Sequence, residues 1–97
     1  MGMDAKLQLL KADLGLMRVS AEQASYLTAL LTQAAAELER KGIVLTDTIE
    51  DDILVEMVAA WKYRMRAQSA SPAMPETLRR AIYDRIVQTV AGGDGNG

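Results

Sequence analysis

The chain has 97 residues, enough for one small domain, and a net charge of −2 with 49% apolar and 25% charged residues. It contains no cysteine and no histidine, which excludes disulfides, thiolate nucleophiles, histidine bases and zinc sites built from these residues. No apolar run approaches the roughly 18 residues that span a bilayer, and no segment resembles a signal peptide. The composition suits helix packing and predicts a soluble intracellular protein.

The first predicted helix is short. Its pattern begins at Asp4, which is predicted to be the N-cap, and Gly15 is a natural helix stop. The leucines that share one face of this helix are Leu7, Leu10 and Leu14. Residues 15–19 are predicted to connect this helix to the next.

The second predicted helix is long and rich in alanine, which lets a neighbouring helix approach closely. Ser20 and Gln23 fit a capping box, in which the side chain of each residue bonds the backbone amide of the other. Gly42 lies where a glycine commonly ends a helix. The apolar stripe consists of Leu27, Leu30, Leu31, Ala34 and Leu38.

The third predicted helix follows a short apolar run, residues 43–45, which either anchors the connector in the core or forms a short strand. Asp47 is predicted to be the N-cap and Glu50 the N3 residue. The acids at this start could suggest Mg²⁺ or Ca²⁺. They lack EF-hand spacing and its loop glycine, so we assign them capping and helix-dipole roles. These acids are Asp47, Glu50, Asp51 and Asp52.

The apolar side chains of this third helix cover an arc of roughly 180°, whereas a helix that lies on a single core needs only about 100°. They are Ile49, Ile53, Leu54, Met57, Val58, Trp61 and Met65. The helix is therefore either the central post of a bundle or packs partly against another copy. We expect some of Leu54, Val58 and Met65 to meet a neighbouring subunit or the segment after the helix.

Residues 68–75 contain two prolines and predict a hinge that ends the third helix. Pro75 fits the N1 position of a fourth helix. Its apolar side consists of Leu78, Ile82, Ile86 and Val90, widened by Tyr83 and Val87. Residues 91–97 are predicted to be a disordered, glycine-rich tail, which leaves a single domain over residues 4–90. The predicted fold class is all-α, four helices in a small bundle, with helices two and three an antiparallel pair.

Catalysis has no candidate site in the sequence. The carboxylates have no nucleophile or oxyanion donor beside them, and the glycines form no phosphate-cradling loop. A helix-turn-helix in helices two and three is disfavoured. The third helix begins with acids, where a recognition helix generally offers basic and amide residues. We predict no catalytic residue, no metal site and no cofactor site.

Charge is distributed unevenly along the chain. Residues 1–52 hold nine acids and five bases, a net charge of −4, whereas residues 53–97 have a net charge of +2. The bases around the hinge can form a solvated face, a contact for an acidic partner, or a phosphate contact. Trp61 is expected in the core and Tyr63 at an interface, because an exposed aromatic with a polar tip suits contact surfaces. The interaction candidates are Tyr63, Arg64, Arg66, Arg79, Arg80 and Arg85.

The order of the helical segments provides further information about the class of protein. A short helix, LQLLKADLGL, precedes the alanine-rich YLTALLTQAAAELERKGI. DDILVEMVAAWKYRMR, a proline-containing break and MPETLRRAIYDRIV follow. Over residues 5–90 this order resembles the small head–tail connector proteins of tailed phages and prophages, the adaptors that sit beneath the portal. The aromatic-then-arginine end of the third helix, residues 61–66, and the proline-led fourth helix are the most suggestive pieces.

The resemblance implies a virion structural protein at the head–tail junction, present in the host cytoplasm during assembly. Such a subunit forms a homo-oligomeric ring of about a dozen copies. It docks on the portal protein and on a tail-completion or stopper protein, and it extends the channel through which DNA passes without sequence-specific contact. In the family the C-terminal region commonly contacts the portal, a role that carries over here only as far as the fourth helix.

The resemblance implies no enzyme activity, no cofactor and no membrane contact. An alternative hypothesis from a different class is a small helical regulator, encoded in a mobile element, that binds another protein or DNA. A salt-sensitive gel shift with a defined duplex would favour that alternative.

Overall fold

The computed structural model describes residues 2–68 and 73–95. Its helices are α1 (Met3–Leu14), α2 (Ala21–Arg40), α3 (Ile49–Arg64) and α4 (Glu76–Gly95). The described residues contain no strand, so the predicted all-α class with four helices is confirmed. Residues 69–72, which belong to the predicted hinge, lie outside the described residues.

The central element is α3, because α1, α2 and α4 each pack against it. The predicted antiparallel pairing of α2 and α3 is confirmed. Tyr26, near the start of α2, lies beside Tyr63, near the end of α3, with ring centroids 6.3 Å apart. α1 lies along α3 in the same direction, as the ion pairs at its two ends show.

One cluster of buried apolar side chains joins all the helices. The connector between α2 and α3 contributes Ile43, which is buried, while the next residue, Val44, is exposed. The run of residues 43–45 is therefore an anchor in the core and not a strand. Burying one such side chain contributes about 1.5–3 kcal/mol. The cluster comprises Leu10, Leu27, Leu30, Leu31, Ala34, Leu38, Ile43, Leu54, Val55, Val58, Ala59, Ala60, Leu78 and Ile82.

The end of α1 and both ends of α2 lie where the sequence predicts. The Ser20 hydroxyl accepts from the Gln23 amide at 3.1 Å, and the Gln23 side chain accepts from the Ser20 amide at 2.9 Å, so the capping box is confirmed. Gly15 ends α1 with φ 71° and Gly42 follows α2 with φ 98°. These left-handed conformations favour glycine over residues that carry a Cβ atom.

The start of α3 differs from the prediction. Thr48, not Asp47, is the N-cap, because the Thr48 hydroxyl accepts from the Asp51 amide at 3.3 Å. This register places Asp51, not Glu50, at the N3 position. The three acids of the first turn still face the positive end of the helix dipole.

Three further boundaries differ from the prediction. Gly2, not Asp4, caps α1, because an amide of the first turn reaches the Gly2 carbonyl at 3.2 Å. The helix α4 begins at Glu76, one residue after Pro75, although the Pro75 carbonyl accepts from an amide in the next turn at 2.9 Å. The helix continues to Gly95, within the predicted tail of residues 91–97, and the last two residues lie outside the described residues.

The wide apolar arc of α3 is covered largely from within the chain. Leu54 and Val58 are buried, and Leu54 lies where α4 packs on α3, so neither side chain requires a neighbouring subunit. Met65 is half-buried. Ile49 and Ile53 remain exposed at the start of the arc. The helix is thus the central post of the bundle, with a residual apolar edge near its N-terminus.

Candidate interaction surfaces

Arg85 is an internal anchor of the fold. Its Nε donates to Asp51 Oδ1 at 2.7 Å and its Nη2 donates to Asp51 Oδ2 at 3.0 Å and to the Val44 carbonyl at 2.7 Å. The Thr46 amide also donates to Asp51 Oδ2 at 2.7 Å. The Arg85 guanidinium, ahead of the Thr46 hydrogen bonds, lowers the pKa of Asp51 to about 2. Arg85 therefore ties α4 to the start of α3 and to the preceding connector.

Arg64 joins the ends of α1 and α3. Its Nη2 donates to Asp13 Oδ1 at 3.0 Å and to the Asp13 carbonyl at 3.1 Å.

Burial, followed by the hydrogen bond with Asp13, raises the pKa of Glu56 to about 8. The same hydrogen bond is the largest factor that lowers the pKa of Asp13. A pKa of about 8 favours the protonated form of Glu56 at neutral pH, in which its carboxyl can donate to the Asp13 carboxylate that also accepts from Arg64.

Tyr63 and Arg66 form one wall of a surface cleft. The Arg66 guanidinium carbon lies 3.7 Å from the centroid of the Tyr63 ring, within the range of a cation–π contact. Tyr26 tilts against Tyr63 from the opposite helix, and Tyr63 is half-buried. The cleft has a volume of about 310 Å³ and is lined by Leu16, Glu22, Gln23, Tyr26, Leu27, Tyr63 and Arg66.

Arg79 and Arg80 lie at the exposed start of α4. Arg80 Nη2 pairs with Glu76 Oε2 at 2.9 Å, and both side chains are about 70% exposed, so solvent screens this pair. Arg79 borders a surface depression beside Tyr83. Both arginines precede an exposed apolar surface on the same helix.

That surface is the outer face of α4, which we define as Tyr83, Val87 and Val90. Their side chains are 65%, 46% and 56% exposed, although all three are large and apolar. Their spacing of i, i+4 and i+7 places them on one side of the helix. Leu78 and Ile82, which enter the core, lie about 120° away around the helix. The bundle therefore covers only one part of the wide apolar arc of this helix.

A groove lies between α3 and α4 on another side of the bundle. We define its floor as Ile53, Met57 and Ala81 and its acidic rim as Glu50 and Asp84. It has a volume of about 280 Å³. The lining of the groove also includes Asp51, Leu54, Arg85 and Gln88.

The burial of acids on α3 was not foreseen. Asp51, Asp52 and Glu56 are each at most 5% exposed, whereas the sequence assigned the two aspartates only capping and dipole roles. A signal was available, since Asp52 and Glu56 are spaced i, i+4 and share one face of a helix whose apolar arc already covers roughly half of its circumference. Asp52 lies 3.6 Å from Lys6 Nζ. Asp52 Oδ2 and Glu56 Oε2 have no hydrogen-bond partner among the described residues.

The predicted interaction residues do not form one patch. The end of α3 and the residues just after it hold Tyr63, Arg64 and Arg66. The exposed start of α4 holds Arg79 and Arg80, whereas Arg85 is enclosed by its own chain. Within residues 2–68 and 73–95, no group of three or more acids is arranged to hold a metal ion. Among the helices described, none combines the length and the hydrophobicity that crossing a bilayer requires.

No family model matches the chain, and no curated protein or solved structure matches it either.

Proposed function

We propose that the chain is a subunit of a tailed-phage head–tail connector, a ring beneath the portal that extends the DNA channel by docking and without catalysis. The observation that carries the proposal is the outer face of α4. The chain completes its own core, yet it leaves Tyr83, Val87 and Val90 exposed on one helix face. Contiguous exposed apolar surface on a small protein commonly marks a binding partner.

The charges on the surface are compatible with this role. Three of the six candidate interaction residues are paired with carboxylates within the chain, namely Arg64, Arg80 and Arg85. Their positive charge is therefore partly neutralised, and a channel built from such subunits holds passing DNA only weakly. The resemblance of residues 5–90 to connector proteins supports the same assignment.

Light scattering of the purified chain across concentration, followed by electron microscopy of the larger species, tests the proposal. We expect rings of many copies, formed by the chain alone or after addition of a portal protein. Tyr83→Ser with Val87→Ser should abolish them. Met17→Ser is the matched control, because Met17 is exposed but lies in the connector between α1 and α2.

A chain that remains monomeric at high concentration and binds neither portal nor particle would overturn the proposal. A salt-sensitive gel shift with a defined duplex, together with a monomeric chain, would favour the regulator hypothesis instead.

A further inference from the structure

The outer face of α4 and the α3–α4 groove lie on different sides of α4. Ala81 and Asp84 line the groove, whereas Tyr83 and Val87 form the outer face. With successive residues about 100° apart on a helix, the centres of these two sides are separated by roughly 120°. One copy therefore cannot place its own outer face in its own groove, but a second copy can.

The two surfaces are complementary in charge. The outer face follows two exposed arginines, Arg79 and Arg80, and the ion pair of Arg80 with Glu76 is itself highly exposed. The groove has an acidic rim, Glu50 and Asp84, and both residues are exposed. Opposite charges around two facing apolar patches guide and orient an association.

The two surfaces are also complementary in polarity. The groove floor includes Ile53, which is 39% exposed and is left uncovered by the described part of the chain. An incoming helix that carries Tyr83 and Val87 would remove apolar surface from water on both partners at once.

We propose that the α3–α4 groove of one copy receives the outer face of α4 from the next copy, with Arg79 and Arg80 against the acidic rim. The two contacting patches differ, so the contact is heterologous and repeats from copy to copy, as a ring requires. This inference rests on the proposed connector function and names the contact between its subunits.

Cysteine cross-linking tests the contact directly, because the chain has no native cysteine. Ile53→Cys and Val87→Cys are prepared separately, mixed and exposed to mild oxidation. We expect disulfide-linked dimers in the mixture that contain one copy of each variant, and only background amounts in either variant alone. A mixture of Met17→Cys and Val87→Cys is the matched control. Equal cross-linking in the control mixture would overturn the proposal.

Efficient cross-linking of Val87→Cys to itself would also overturn the proposal, since it indicates two outer faces packed against each other. A disulfide requires Cβ atoms about 4 Å apart, so the readout reports close contact and not mere collision.

Charge reversal supplies a second measurement. Arg79→Glu alters the outer side and Glu50→Lys, on α3, alters the rim, so each variant alone should self-associate about fivefold to tenfold more weakly. Mixing the two should restore association. The altered outer side then meets the altered rim, and the native outer side meets the native rim. Arg18→Glu, a reversal in the exposed α1–α2 connector, is the control and should have no effect.

The outcomes separate this inference from the proposed function. If the chain forms rings but mixing restores nothing and positions 53 and 87 do not cross-link, this contact is wrong and the connector function stands. If neither rings nor cross-links form even with a portal protein, both proposals fail.

Discussion

The two sides of α4 carry the same kinds of residue and use them differently. On the inner side, Arg85 is only 17% exposed and is bonded to Asp51. On the outer side, Arg80 is 71% exposed and is bonded to Glu76 within its own helix. The inner side likewise buries Ile82, while the outer side exposes Val87.

The difference shows that residue type does not decide what a side chain does on this helix. An arginine taken out of water must have its charge and its donors satisfied, so it fixes the position of α4. An arginine on the outer side stays hydrated and contributes little to the fold. The inner side therefore builds the molecule, and the outer side is available for a partner.

The largest expected effect concerns the inner arginine. Arg85→Met should lower the free energy of unfolding by about 3–5 kcal/mol, because it leaves the Asp51 carboxylate buried without its charged partner. Urea denaturation of the variant and of the wild type measures the change. A loss below about 1 kcal/mol would show that the inner and outer arginines are equivalent after all.

A second comparison uses the aliphatic residues of the two sides. Ile82→Ala should lower the free energy of unfolding by about 2–5 kcal/mol, because it opens a cavity in the core. Val87→Ala, its matched control, should change stability by less than about 0.5 kcal/mol, since Val87 faces solvent in the single chain. Comparable losses in the two variants, measured at low protein concentration, would contradict the assignment of the two sides.

The comparison extends to α3, where Glu56 is an inner carboxyl with a raised pKa of about 8. In the folded state Glu56 keeps its proton, whereas in the unfolded chain the same carboxyl releases the proton near its ordinary pKa. The stabilisation from Glu56 is therefore fully present below the ordinary pKa. This stabilisation is lost as the pH rises toward 8. We expect the free energy of unfolding to fall by about 2–3 kcal/mol from pH 5 to pH 7.5 through this group.

Glu56→Gln provides the control for this pH dependence. The amide does not ionise but still offers a donor to Asp13, so the decline between pH 5 and pH 7.5 should flatten. Denaturant titrations at several pH values measure it. An unchanged slope in the variant would assign the pH dependence to other groups.

The smallest effect is expected for the outer arginine. Arg80→Met removes only an exposed ion pair with Glu76, so the free energy of unfolding should change by at most about 0.5 kcal/mol. Thermal unfolding of the dilute, monomeric chain provides the measurement. A loss as large as that of Arg85→Met would mean that the outer side also holds the fold together.

Much of the fold is readable from local patterns. The Ser20 capping box, the glycines at positions 15 and 42 and the apolar stripe of α2 each act within a few residues, and the structure contains all of them as predicted. The starts of α1, α3 and α4 shifted by one or two residues. A cap is chosen by which side chain or carbonyl reaches an amide, and neighbouring residues compete closely for that role.

The candidate surfaces were less predictable. Charge and aromatic character placed six residues in one candidate set. Arg85 nevertheless lies inside the fold, because it bonds Asp51 on α3, which is far from it in sequence. Such a pairing joins residues far apart in the chain, and periodicity within one helix carries no information about it. The α3–α4 groove is likewise a property of two helices together.

The sequence by itself determined that this protein is a four-helix, all-α chain, because helix formation, capping and amphipathic periodicity depend on near neighbours. Only the tertiary structure decided which of the acids are buried, which arginine holds α4 and which side of α4 remains uncovered. Those outcomes depend on how the helices pack against one another. Packing decides whether a side chain is buried, and burial changes the free energy of a charge or an apolar group, whereas the residue type alone does not tell which side chains are buried.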